Sequence, residues 1–94
     1  LRHFTGMLAL LAARRGRLRE AALLVGCDDA ARQRRGERRS PSDERTLAAA
    51  LALIGAGHPA ADIEAWRLEG AGLDEDATVA LVSGQLSDPH ARAA

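Results

Sequence analysis

Apolar residues recur along this chain at spacings of three and four, and no stretch alternates apolar and polar with a period of two. That periodicity predicts amphipathic helices and no strand pairing. A first helix is expected over residues 2–15, with Phe4, Met7, Leu8 and Leu11 on its inner face and Gly16 stopping it. A second is expected over residues 18–35. Its stripe runs through Leu18, Ala21, Leu24, Val25 and Ala31 and fades around Asp28 and Asp29. Gly36 suits its C-terminal cap, because glycine enters the left-handed conformation without a Cβ penalty.

A charged connector over residues 37–42 contains the start of the next helix. Ser40 can cap it, and Pro41 at the first helical position loses no needed N–H. Asp43, three residues after Ser40, resembles a capping box with Asp in place of Glu. This third helix is expected to reach Ile54, burying Leu47, Leu51 and Ile54, with Gly55 and Gly57 ending it. His58-Pro59 should start a fourth helix that turns Ile63, Trp66 and Leu68 inward and ends at Gly70 and Gly72. Trp66 is expected to be largely buried against the third and fifth helices. Asp74 should cap the fifth, where Glu75 and Asp76 suit the positive end of the helix dipole and Val79, Leu81 and Val82 supply apolar contacts. Residues 1–83 are thus expected to form one helical domain, and residues 84–94 a flexible tail.

Composition supports the same fold class. The chain has 21 Ala and 14 Leu against one Trp, one Phe and no Tyr. Ala and Leu lose little side-chain freedom in a helix, so an all-α fold is expected. Small Ala side chains also let helices approach closely. Ninety-four residues suit a single small domain with little stability to spare. The chain opens on Leu1, and we expect it to be a piece of something longer. No secretory signal pattern opens it, and its longest apolar stretches fall short of the ~20 residues a membrane span needs. The lone Cys27 excludes an intrachain disulfide. A soluble, cytoplasmic protein is expected.

Charge is unevenly placed although the net is zero. Residues 1–45 hold 11 Arg against 6 acidic residues, a balance of +5, and residues 46–94 hold 2 Arg against 7 acidic residues, a balance of −5.

The spacing of Leu8, Ala9, Gly16 and Ala21 is similar to a tetratricopeptide repeat, where small residues let two helices pack and a glycine fills the turn. The run Leu24-Val25-Gly26-Cys27-Asp28-Asp29-Ala30 resembles a Leu-Leu-Gly-Ala-Ala-Glu-Ala run near the C-terminal end of LuxR-type and AfsR-type bacterial transcriptional regulators and related predicted ATPases. Ser40-Pro41, the Ala-rich stretch from Leu47 to Ile54, Trp66-Arg67-Leu68-Glu69-Gly70, Leu73-Asp74 and Val79-Ala80-Leu81 follow in the order found there. The resemblance covers residues 8–82. It implies a tetratricopeptide-like right-handed array of antiparallel helix pairs, about five helices in all. It also implies a non-catalytic scaffold segment that closes the repeat region of a larger regulator. Its partners would be neighbouring repeats, another protein or a second copy of the chain. The resemblance transfers no catalytic residue, and no phosphate loop with Lys-Ser/Thr occurs in the sequence.

Candidate chemistry is sparse. Arg32, Arg34, Arg35, Arg38 and Arg39 could form a phosphate-binding patch, making a nucleic-acid-binding module over residues 14–39 the alternative function. No aromatic residue stands among them for base stacking, so a solvated helix end and loop is the simpler expectation. His3, His58 and His90 are far apart and at no metal-ligand spacing, so no metal site is expected. Cys27 could be a thiol activated by nearby arginines, but is expected to fill a small space between helices. Asp74, Glu75 and Asp76 could do acid–base work, but capping accounts for them. No cofactor and no enzymatic activity are expected.

Overall fold

The computed structural model of the chain describes residues 5–86, and those residues form five helices joined by short connectors. They are α1 (Thr5–Arg14), α2 (Leu18–Arg35), α3 (Pro41–Gly57), α4 (Ala60–Ala71) and α5 (Glu75–Leu86). No strand occurs among the described residues.

Two glycines at positive φ end the first two helices: Gly16 at 79° and Gly36 at 67°. At the first, the Arg17 N–H donates to the Ala12 carbonyl at 2.9 Å and the Gly16 N–H to Ala13 at 3.1 Å. At the second, Glu37 donates to Arg32 at 2.9 Å and Gly36 to Gln33 at 3.2 Å. This paired pattern satisfies the carbonyls that a helix end leaves open. The α3 start carries the expected capping box. The Asp43 N–H donates to the Ser40 Oγ at 3.1 Å, and the Ser40 N–H donates to an Asp43 carboxylate oxygen at 3.4 Å.

Two glycines expected to stop helices do not. Gly55 lies inside α3, which ends at Gly57. Gly70 lies inside α4 and is buried. At Gly70 the reason is a helix contact. A Cβ on Gly70 would lie 2.1 Å from the Leu23 carbonyl oxygen, and one on Gly26 would lie 2.0 Å from that of Arg67. Each glycine therefore lets the backbone of the other helix approach, and α2 packs on α4 more broadly than on any other helix.

α2 is the centre of the fold. All eight residues from Ala21 to Asp28 are buried. That is more than two turns, so α2 is covered on every side, and it touches α1, α3, α4 and α5. Leu8, Ala9, Ala12 and Ala13 of α1 pack on Ala21, Ala22, Leu24 and Val25 of α2, and Ile54 of α3 and Val82 of α5 close the cluster. Full burial of a side chain such as Leu24 contributes about 1.5–3 kcal/mol.

Several inward assignments need correction. Met7 is 63% exposed and Leu68 67% exposed. Leu11 and Val79 are also exposed. Leu8, Ala9, Ala12 and Ala13 are the buried residues of α1, so its inner face is rotated from the expected one. Trp66 is half-buried. It packs on the core from α4, which rests on α2 and only narrowly on α3, and makes no helix contact with α5. Its ring meets that of His58 edge-on, with centroids 4.7 Å apart. Residues 84–86, expected in the tail, belong to α5. Phe4 and the remainder of the expected tail lie outside the described residues.

Candidate functional site

The Arg-rich segment is built by the reversal at Gly36. α2 ends there, and the connector of residues 37–40 turns back along it to the capping residue of α3. Arg39 returns to the level of Asp28 and Asp29, about two turns before the end of α2. Its Nη2 donates to Asp28 Oδ2 at 2.9 Å and to Asp29 Oδ1. The same Asp28 oxygen accepts from Arg32 Nε at 2.9 Å. Arg32 Nη2 also reaches Asp43 at 3.3 Å, and Arg67 of α4 donates to Asp29 at 2.6 Å. Two adjacent carboxylates thus tie α2, the connector, α3 and α4 together.

Asp28 is 5% exposed, the one buried charged residue among those described. A carboxylate is costly to bury unless it is paired and hydrogen-bonded. Asp28 has two guanidinium donors. Burial works against the charge of Arg39, but hydrogen bonds and charges from Asp29 and Asp28 outweigh it and hold the guanidinium above its ordinary value. A solvated helix end was expected here. Arg34, Arg35 and Arg38 are exposed, but Arg32 and Arg39 are not part of a solvated face. Their side chains are 15% and 18% exposed and face aspartates. The five candidate phosphate contacts therefore divide into two structural arginines and three exposed ones. Arg35 lies 3.8 Å from Glu37.

Beside this cluster is a small cleft lined by Met7, Val25, Asp28, Arg32, Arg39 and Leu47. Its volume of about 20 Å³ has room for about one water molecule. Ligand pockets are typically ~300–1,000 Å³, so the cleft does not admit a substrate of ordinary size.

Cys27 fills a space between helices. Its Sγ donates to the Gly70 carbonyl oxygen at 3.2 Å and lies 3.7 Å from Thr78 Oγ1 of α5. Burial pushes the thiol above its ordinary range, against a lowering by the Thr78 hydroxyl. Activation by arginines is therefore not what this environment does. Asp74 caps α5, accepting the Ala77 N–H at 2.7 Å. His58 contacts Trp66, and His3 and His90 lie outside the described residues. Among the described residues, no group of three or more His, Cys, Asp or Glu is placed to hold a metal ion. No described helix is long and apolar enough to cross a membrane.

The surface feature that sequence reasoning missed is on α1. Met7, Leu10, Leu11 and Arg14 lie at spacings of three and four on the side away from Leu8, Ala9, Ala12 and Ala13. Met7, Leu11 and Arg14 are exposed and Leu10 is half-buried. A helix apolar on both sides carries the signal in its sequence, because it has one face too many for a single core. No protein-family model, no curated protein and no solved structure matches this chain.

Proposed function

We propose that this chain is a non-catalytic protein-interaction segment that closes the helical-repeat region of a larger bacterial signalling or transcriptional regulator. The observation that carries the reading is the outer stripe of α1. Its Met7, Leu10 and Leu11 have the i, i+3, i+4 spacing by which a helix docks in an apolar groove. A neighbouring helical repeat or another protein would cover it. The α1–α2 pair joined through Gly16, with α3 against both, supports a tetratricopeptide-like array. So does the sequence resemblance to LuxR-type and AfsR-type regulators. A cytoplasmic setting belongs to the same reading.

The alternative is nucleic-acid contact through residues 14–39. It retains Arg34, Arg35 and Arg38 as exposed cations of the 32–39 cluster, but loses Arg32 and Arg39 to aspartates. Binding to duplex DNA that falls steeply with salt and is abolished at Arg34, Arg35 and Arg38 would favour it.

Site-specific photocrosslinking in the cell tests the main reading. A photoreactive residue at position 11 should yield a defined crosslink to a protein segment, mapped by mass spectrometry. The same residue at exposed position 44 on α3 should not. Equal, diffuse labelling from both positions would count against a docking face on α1.

A further inference from the structure

We infer that the occupant of the α1 face is the α4 face of a second copy of this chain, in a head-to-tail contact. The inference rests on the reading of α1 as a docking face. The outer side of α4 presents Ala61, Ala65 and Leu68, all exposed, at spacings of four and three. Its opposite side, with Ile63, Trp66 and Gly70, packs inward. The two stripes match in length. Met7 to Arg14 and Ala61 to Leu68 are each eight residues, a rise of ~10.5 Å along the helix.

They also match in shape and charge. The α1 stripe is built of long side chains, and two of the three apolar positions on α4 are alanines, so knobs on one meet shallow ground on the other. The only charged residue of α1 is Arg14. The α4 stripe is flanked by the exposed carboxylates Asp62 and Glu64, while Glu69 beyond them is paired with Arg19 of α2 at 2.6 Å. Opposite charges therefore meet when α1 of one copy lies on α4 of the next. Two α1 faces would offer no carboxylate to either Arg14, and two α4 faces would set carboxylate against carboxylate. α1 and α4 share no contact within one chain, so neither of the two faces covers the other. Such a contact is heterologous and can propagate.

Complementary variants separate this from every symmetric arrangement. One variant carries Met7→Glu and Leu11→Glu. The other carries Ala65→Glu and Leu68→Glu. All four positions are exposed, so both variants should remain helical by circular dichroism. In sedimentation velocity at low ionic strength, the wild-type chain is expected to form species beyond a dimer as concentration rises, and added salt to shift them toward the 9.9 kDa monomer. Each variant alone should be monomeric. Mixed in equal amounts they should give a heterodimer and nothing larger, because one intact face remains on each and the two altered faces repel. A wild-type chain that stays monomeric overturns the inference. So does a variant that still dimerises alone, or a mixture that does not associate. A monomeric wild-type chain with a position-11 crosslink to a different protein would overturn the second-copy occupant and leave the docking role of α1 standing.

Discussion

Asp28 and Arg39 are eleven residues apart in sequence and meet at 2.9 Å. The contact makes a loop residue part of the interior. Gly36 reverses the chain, and the short connector then has one place to put Arg39: against the only carboxylate on the buried run of α2. Asp29 next to it takes the same guanidinium and a second one from α4. The connector is thereby fixed to the helix it leaves, and α4 to both.

Removing one member of this cluster should cost more than removing the exposed arginines around it. Arg39→Gln leaves Asp28 buried with Arg32 alone. Breaking a buried pair costs ~3–5 kcal/mol in full, and the remaining partner and partial exposure reduce this to about 2 kcal/mol. The triple change Arg34→Gln, Arg35→Gln, Arg38→Gln should stay within ~0.5 kcal/mol of the wild type. Urea unfolding of the two variants checks the contrast. Equal stabilities would mean that the Asp28 cluster contributes nothing to the fold.

The α2–α4 contact at Gly26 and Gly70 should be intolerant of a single methyl group. Each added Cβ would meet backbone of the other helix at 2.0 or 2.1 Å, and backbone has no rotamer by which to yield. Gly26→Ala and Gly70→Ala should each destabilise by about 3 kcal/mol, the upper end for overpacking. Gly55→Ala is the control. It lies within α3 with open space around it, and alanine in a helix interior is worth ~0.5–1 kcal/mol over glycine. Thermal melting should therefore move in opposite directions for Gly70→Ala and Gly55→Ala.

These particular residues show what the sequence made legible. Gly16, Gly36, Ser40, Pro41 and Asp43 act through local backbone geometry, and a local reading placed them. So did the all-α class, since periodicity and composition are local as well. Gly70 and Asp28 act through partners 47 and 11 residues away in sequence, Leu23 and Arg39. Gly70 looks like a helix stop and Asp28 like the end of an apolar stripe until the helices are packed. The rotation of α1 was hidden for a related reason. Met7, Leu8, Ala9, Leu10, Leu11, Ala12 and Ala13 are all apolar, so the pattern within α1 does not select which side meets α2. The docking role proposed for α1 depends on that choice and was not legible from periodicity.

The α3 cap gives a prediction with a pH dependence. Hydrogen bonding to Ser40 is the largest influence on Asp43, and with Arg32 nearby it holds the carboxyl below its ordinary value. A carboxyl depressed in the folded state stabilises fully above its unfolded value, and the contribution is lost as pH falls through the folded one. Acid should therefore weaken the wild type relative to Asp43→Asn, with the difference closing only below the ordinary aspartate range. Ser40→Ala, which removes the other half of the box, should cost ~1 kcal/mol at neutral pH. Stability profiles of the two variants between neutral and strongly acidic pH give the answer, and parallel curves for wild type and Asp43→Asn would remove Asp43 from the cap.

Cys27 should report the opening of the whole fold. Cys27 is 8% exposed, its thiol donates to the Gly70 carbonyl, and burial pushes that thiol above its ordinary range. The thiolate is the reactive form, so a soluble disulfide reagent must wait for α2, α4 and α5 to separate. For a domain of about 5 kcal/mol stability, labelling that tracks the open population should be slowed by ~10³–10⁴ relative to the unfolded chain. Gly70→Ala should speed labelling roughly in proportion to its loss of stability, because it parts the same helices. Alkaline pH should act in the same direction. A thiol raised in the folded state supports the fold fully below its unfolded value, and that support falls as pH rises through the folded one. Labelling followed in increasing urea should thus extrapolate to the unfolding free energy from spectroscopy. Fast labelling without denaturant, unchanged by Gly70→Ala, would instead place Cys27 on a locally mobile surface and contradict its role in joining α2 to α4.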